Sequence, residues 1–110
     1  MKKAKKERLE RAGWRVGSAA DFLGLSKEEE AFVEMKLALA ESLRKRRVAR
    51  RLTQTQFARK IGSSQSRVAK MEAADASVSI DLLVRSLLAT GASRAEIAKV
   101  IARRKTRRAA

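Results

Sequence analysis

An all-α fold is predicted for this chain of 110 residues by three observations. Proline is absent, aromatic residues make up only 4%, and leucine, alanine and charged residues dominate, which favours helix over strand. Large apolar residues recur at spacings of three or four, as on one face of a helix. Serine or threonine also stands three residues before glutamate or glutamine at several of the predicted helix starts, the pattern of a capping box.

The charge balance favours a polyanionic partner. Lysine and arginine total 27 against 12 acidic residues, a formal net charge of +15. With no histidine and no cysteine the sequence excludes disulfides, a Cys/His zinc site and a histidine general base. The acidic run 28–30 is interpreted as a solvated helix face rather than a nuclease site, so we expect no enzyme, no cofactor and no small-molecule ligand.

The chain divides into four predicted parts. Residues 1–12 form a basic flexible arm, 13–25 an apolar extension, 26–102 the folded domain and 103–110 a basic tail. Ser18 with Asp21 resembles a capping box for a short helix inside the extension. Neither a signal peptide nor a run of the roughly 20 apolar residues that would span a membrane is found. We therefore expect a cytoplasmic protein without membrane contact.

The first helix of the domain is predicted to run from Ser26, which forms a capping box with Glu29, to about Arg50. Its acidic residues cluster near the start and its basic residues near the end, as the helix dipole favours. The predicted buried stripe comprises Phe32, Met35, Leu39 and Leu43.

Residues 52–72 predict two short helices joined by a tight turn. Thr53 and Gln56 form a capping box for the first, whose inward side chains include Phe57 and Ile61. Gly62 ends it, since glycine enters the left-handed region without a steric penalty. Ser64 caps the second helix, which turns Val68 and Met71 inward. The predicted outward residues of this second helix are Gln65, Ser66, Arg67, Ala69 and Lys70.

These outward side chains are short polar or cationic groups suited to base edges and phosphates. The pattern therefore predicts a DNA-reading helix-turn-helix. The alternative is an ordinary helical hairpin, which needs the same caps, glycine and apolar stripe.

Two further helices are predicted after a turn at 73–77. One begins near Ser79 and ends at Gly91, with an apolar face of Ile80, Leu83, Leu87 and Leu88. The last is opened by a capping box of Ser93 and Glu96 and carries Ile97, Val100 and Ile101.

Residues 39–91 resemble the Xre-type helix-turn-helix family, the five-helix domain of phage repressors. The resemblance rests on Leu39, Leu43, Arg47, Leu52, Thr53, Gln54, Ala58, Gly62, Ser64, Val68 and Glu72. The longer stretch 13–97 resembles a narrower subgroup, the HigA-like antitoxins. The resemblance implies a five-helix, lambda-repressor-like fold with a short N-terminal helical extension.

The resemblance also implies residue roles and partners. Gln54 would bind a phosphate and support Gln65, and Gln65 would read adenine. Base contacts are expected from Gln65, Ser66, Arg67, Ala69 and Lys70, and phosphate contacts from Gln54, Thr53, Ser64 and Arg47. The expected partner is double-stranded DNA with an inverted-repeat operator, bound by a homodimer. The dimer is expected to use Leu87, Leu88, Ile97, Val100 and Ile101.

Some residues depart from the family pattern. Arg51 stands where relatives often have a glycine, so that turn is expected to be strained or helical for longer. Ala74 and Ala76 replace the glycine and proline common in the subgroup, and Arg46 replaces a buried aliphatic residue.

Three functions compete at this point. The first is an antitoxin that neutralises a small RelE/ParE-like (HigB-type) toxin and represses its own operon. Its toxin contact would be Trp14, Val16, Phe22 and Leu23, unless the extension simply packs against the long helix. The second is a transcription regulator without a toxin, and the third a non-specific nucleic-acid-binding protein driven by its basic tails.

Overall fold

A computed structural model describes residues 24–103, which contain five helices and no strand. The predicted all-α fold is thereby confirmed. The helices are α1 (Lys27–Ala49), α2 (Gln54–Ile61), α3 (Gln65–Glu72), α4 (Ile80–Ala89) and α5 (Arg94–Ala102). None of the helices in this part of the chain combines the length and the apolar character needed to cross a bilayer.

The long helix α1 begins as predicted but buries fewer residues than its pattern suggests. The Ser26 side chain accepts from the Glu29 N–H, and the Glu29 carboxylate accepts from the Ser26 N–H. Its buried residues are Leu39, Ala40 and Leu43, all in its second half. Phe32 is 52% exposed, so its predicted place in the core is wrong. Helical spacing finds the stripe, but no other element of residues 24–103 buries that end of it.

The helix-turn-helix forms with the predicted caps. Thr53 and Gln56 make the reciprocal capping box of α2, and the Ser64 hydroxyl accepts from the Arg67 N–H at the start of α3. Gly62 lies between the helices at φ +70°, the left-handed conformation predicted for it. The turn therefore holds α3 directly against α2.

One hydrophobic core joins all five helices. Helix α1 packs against α3, α4 and α5, and α2 packs against α3. The fully buried side chains that fill the centre are Leu39, Leu43, Phe57, Val68, Met71, Leu83 and Leu87. The core lies behind α3, so the side chains on the opposite side of that helix face solvent.

Four helices end in the same hydrogen-bonded turn but with different residues at its left-handed position. In each turn the residue after the left-handed one donates to a carbonyl five residues back, as Leu52 does to Arg47 and Asp75 to Lys70. Glycine takes the position after α2 and α4, whereas Arg51 takes it at φ +57° after α1 and Ala74 at φ +53° after α3. Arg51 was expected to lie either in a strained turn or in a longer helix. The helix ends at Ala49, and Arg51 takes the strained left-handed conformation.

Arg46, which departs from the aliphatic residue that the resemblance implied at this position, forms polar contacts instead. Its Nε donates to Thr90 Oγ1 at 2.9 Å, and Arg50 Nη2 donates to the Thr90 carbonyl at 2.6 Å. Arg46 of α1 and Arg50, the residue that follows α1, thus bind the C-terminal end of α4, where the helix dipole favours positive charge.

The residues expected to form a dimer do not share one surface. Leu87 and Ile97 are 1% and 7% exposed, because they pack into the core of their own chain. In the described fold these two side chains are therefore not exposed to a second copy, and the dimer contact itself stays a prediction. Leu88 is exposed, and Val100 and Ile101 are half-buried.

Candidate DNA interface

The side chains predicted to read DNA lie on the outward side of α3. Gln65, Ser66, Arg67 and Lys70 are exposed and Ala69 is half-buried. Gln65, Ser66 and Ala69 share one face by their helical spacing, opposite the buried Val68 and Met71. The described structure thus presents a short polar face with a small apolar spot in its middle.

Gln65, at the first position of α3, is held by Gln54 at the first position of α2. Gln65 Nε2 donates to Gln54 Oε1 across 2.7 Å. The resemblance implied this support, and the structure has it. Because the two residues are the first residues of neighbouring helices, their side chains come within hydrogen-bond distance.

A buried ion pair lies behind these two glutamines. Gln54 Nε2 donates to Glu72 Oε1 at 3.1 Å, and Glu72 accepts two hydrogen bonds from Arg47, from Nε at 2.7 Å and from Nη2 at 3.1 Å. The Glu72 side chain is only 6% exposed and that of Arg47 16%. The hydrogen bond from Arg47 to Glu72 raises the pKa of this guanidinium above its ordinary value. Sequence reasoning gave Glu72 no role, because its partners come from α1 and α2.

The ion pair fixes which way both amides point. A carboxylate can only accept, so Gln54 must turn its NH₂ group toward Glu72 and its oxygen toward Gln65. Gln65 must then offer its own NH₂ group to that oxygen. One N–H and the carbonyl oxygen of Gln65 remain free and face outward, which is the donor-acceptor pair that adenine N7 and N6 require in the major groove.

Arg47 was expected to contact a phosphate, but the fold uses its guanidinium internally. Beyond the two bonds to Glu72, Nη1 donates to the Leu52 carbonyl at 2.8 Å. All three nitrogens are engaged within the chain. In the described fold Arg47 therefore supports Glu72, and its phosphate contact stays a prediction.

The hydroxyl groups of Thr53 and Ser64 remain able to donate a hydrogen bond to a phosphate. Each hydroxyl accepts a backbone N–H as an N-cap, Thr53 from Gln56 and Ser64 from Arg67. Capping uses an oxygen lone pair and leaves the hydroxyl hydrogen free to donate. The first N–H groups of α2 and α3 also lack partners within their helices and favour an anion.

A cleft beside α3 brings together two arginines that are distant in sequence. Arg67 and Arg85 line it with Ser63 and Ser64. The Ser63 hydroxyl is buried and has no hydrogen-bond partner within residues 24–103. Two guanidinium groups and free hydroxyls suit a phosphate oxygen. Sequence reasoning missed Arg85, because only the packing of α4 places it next to the turn.

Several predicted sites lie outside the described residues. They are the arm 1–12, almost all of the extension with its proposed toxin contact Trp14, Val16, Phe22 and Leu23, and the tail beyond Arg103.

A helix-turn-helix family model matches residues 43–97, half of the chain, from the second half of α1 to the middle of α5. The chain belongs to the Xre-like helix-turn-helix family. This Xre-like domain is accordingly that of a DNA-binding transcription regulator. No curated protein and no solved structure gives a significant match.

Proposed function

We propose that this Xre-like regulator represses transcription by binding an inverted-repeat operator as a homodimer, with α3 of each copy in the major groove. The observation that carries the proposal is the hydrogen-bonded series Arg47–Glu72–Gln54–Gln65. It places a glutamine amide of defined orientation on an exposed helix face. A protein that bound DNA by charge alone would not need such an orientation.

Within this proposal the residues of α3 divide into two groups. Gln65 reads an adenine, Ser66 and Lys70 reach neighbouring base edges, and Ala69 contacts a thymine methyl group. Arg67 lies at the side of the helix and, with Arg85, contacts the phosphates that border the groove. Thr53, Gln54 and Ser64 donate to phosphates at the helix starts.

The proposal is tested by titrating the protein, at near-physiological salt, against a duplex of its own upstream region and a scrambled duplex of equal length. We expect a preference of about a thousandfold for the upstream duplex. Equal affinities, with a steep salt dependence for both, would instead support non-specific binding. Measuring both duplexes at several salt concentrations separates the shared electrostatic part from the sequence-dependent part.

The two-fold dimer is supported by apolar side chains left over on the last two helices. Leu88 is exposed at 46%, and Val100 and Ile101 are only half-buried. These three are the remaining candidates for the dimer contact. Leu88→Glu should lower the dimer fraction in sedimentation equilibrium without changing the helical content, whereas a wild-type protein that is monomeric when bound to DNA contradicts the dimer.

The narrower proposal is that the regulator is the antitoxin of a type II pair and binds a small RelE/ParE-like toxin. It is supported by the resemblance of residues 13–97 to HigA-like antitoxins and by the apolar residues of the extension, Trp14, Val16, Phe22 and Leu23. The test is co-purification with the product of the neighbouring gene, followed by rescue of growth from that product. If the neighbouring product neither binds nor is toxic, the stand-alone regulator is the better description.

A further inference from the structure

The N-terminal half of α1 carries an apolar patch that no element of the described fold covers. Phe32, Val33 and Leu37 are 52%, 39% and 43% exposed. Val33 and Leu37 stand four residues apart and are neighbours on the helix surface. Phe32 lies about 100° around the helix from Val33, with Lys36 between them, so only Val33 and Leu37 form one apolar area on this face.

The patch has an acidic border. Glu30 lies three residues before Val33, and Glu34 three residues before Leu37, so both glutamates adjoin the apolar side chains. Neither takes part in the four ion pairs found within residues 24–103. Lys36 borders the opposite side of Val33 and donates to the Asp75 carbonyl at 2.9 Å, so the patch is acidic on one side. We call Glu30, Val33, Glu34 and Leu37 the α1 patch.

The chain itself supplies a segment of matching composition directly before α1. Residues 13–23 hold the large apolar side chains Trp14, Val16, Phe22 and Leu23. Residues 1–15 carry seven cationic side chains against two acidic ones: Lys2, Lys3, Lys5, Lys6, Arg8, Arg11 and Arg15 against Glu7 and Glu10. Residues 13–23 are thus apolar like the patch and carry only Arg15 and Asp21, whereas the residues before them are basic where the patch is acidic.

We propose that residues 13–23 dock on the α1 patch in the free protein, with Trp14 against Val33 and Leu37 and the preceding cations near Glu30 and Glu34. The segment ends at Gly24, whose φ of +73° turns the chain just before the helix. Eleven extended residues reach about 36 Å. Leu37 lies ten residues into α1, only about 15 Å along its axis. Residues 13–23 are therefore long enough to reach the α1 patch.

Because residues 13–23 are covalently linked to α1, they are favoured over a separate molecule as the partner of the α1 patch. A tethered segment acts at an effective concentration in the millimolar range, which a second copy or another protein must exceed. The inference goes beyond the proposed function, because it concerns a surface remote in sequence from α3 and holds with or without a toxin. A toxin that bound Trp14 or Phe22 would have to displace the segment first.

Trp14 reports on this contact directly, since it is the only tryptophan of the chain. The experiment measures acrylamide quenching and the emission maximum of the full-length protein in native buffer and in concentrated urea, without DNA or partner. We expect native Trp14 to be quenched several-fold less readily and to emit at shorter wavelength. Native quenching equal to that in urea would overturn the proposal.

Matched variants locate the contact. Val33→Glu combined with Leu37→Glu should bring Trp14 quenching to the level measured in urea, since carboxylates replace the apolar contact. The control is Val48→Glu, a substitution of the same kind at a residue that is 49% exposed outside the patch. The control should leave Trp14 protected, and circular dichroism verifies that both variants remain helical. Unchanged quenching in the patch variant, or equal loss of protection in the control, contradicts the proposal.

Dilution separates the tethered segment from a second copy. Protection of Trp14 should be the same across a hundredfold range of protein concentration. Protection that disappears on dilution would mean that the cover comes from another chain and would overturn the intramolecular contact. A separate titration with operator DNA tests the proposed function, so that failure of one proposal is distinguishable from failure of the other.

Discussion

The residues at the two ends of α3 both form side-chain hydrogen bonds, but the first is exposed to solvent and the last is buried in the fold. At its first position Gln65 is exposed and leaves part of its hydrogen-bonding capacity free. At its last position Glu72 is 6% exposed and accepts three hydrogen bonds from within the chain. Gln54 connects the two. The comparison shows that the position of Glu72 leaves Gln54, and through it Gln65, one amide orientation.

The largest effect on stability is expected from removing the ion pair between Arg47 and Glu72. Glu72→Gln removes the charge that compensates Arg47 and should lower the free energy of unfolding by about 3 kcal/mol, as for one partner of a buried pair. Urea denaturation measures this. The control is Asp81→Asn, which breaks the exposed ion pair of α4 with Arg85 at 3.2 Å and should cost at most about 1 kcal/mol. Similar losses in both variants would mean that the buried pair contributes no more than a surface pair.

The next effect concerns the exposed end alone. Gln65→Ala should weaken binding to the operator by roughly 1–3 kcal/mol and remove the preference at one base pair, while the free energy of unfolding stays unchanged. Competition titration against operators altered at single positions measures the preference. Gln56→Ala is the converse control: it removes a capping-box partner, so it should reduce stability and keep the base preference.

A double-mutant cycle tests whether the hydrogen bond from Gln65 to Gln54 affects base discrimination. Gln54→Ala should weaken discrimination at the same base pair as Gln65→Ala, because Gln65 loses the acceptor that orients its amide. The effect of the two substitutions together should then be smaller than the sum of their separate effects. Strictly additive effects would show that Gln65 needs no support from Gln54.

A smaller effect is expected just beyond the buried end, where α3 stops. Ala74 lies at φ +53°, so Ala74→Gly should raise the free energy of unfolding by about 0.5–1 kcal/mol by relieving strain. The neighbouring Ala73→Gly is the matched control and should lower it, because Ala73 lies at φ −88° in the right-handed region. Thermal unfolding of the two variants beside wild type decides the sign of each.

The smallest effect is a pH dependence in the loop that follows α3. The Ser77 hydroxyl and backbone N–H both donate to the Asp75 carboxylate and lower its pKa below the ordinary value of 3.8. The stabilisation is therefore complete above pH 3.8 and is lost as the pH falls through the lowered pKa. The difference in unfolding free energy between wild type and Asp75→Asn should shrink over that acidic range, and Ser77→Ala should reduce the pH-dependent part. A difference that stays constant with pH would contradict the assigned hydrogen bonds.

Sequence patterns were sufficient wherever the cause is local. The N-caps at Ser26, Thr53 and Ser64 and the left-handed Gly62 depend on a few adjacent residues, and the structure has all of them. Patterns were insufficient where burial depends on distant elements. Phe32 and Leu87 lie on equally regular apolar stripes, yet one is exposed and the other is in the core, because neighbouring helices cover only the second.

The candidate site divides in the same way. The sequence by itself determined which helix faces outward and which side chains it offers, since caps, turn glycine and helical period are properties of consecutive residues. Only the tertiary structure decided that Arg47 binds Glu72, that Arg85 lines the same cleft as Arg67, and that the Gln65 amide has one orientation. Each of these depends on atoms that are 11 to 25 residues apart or on different helices, and no local pattern specifies which distant groups will be brought within hydrogen-bond distance.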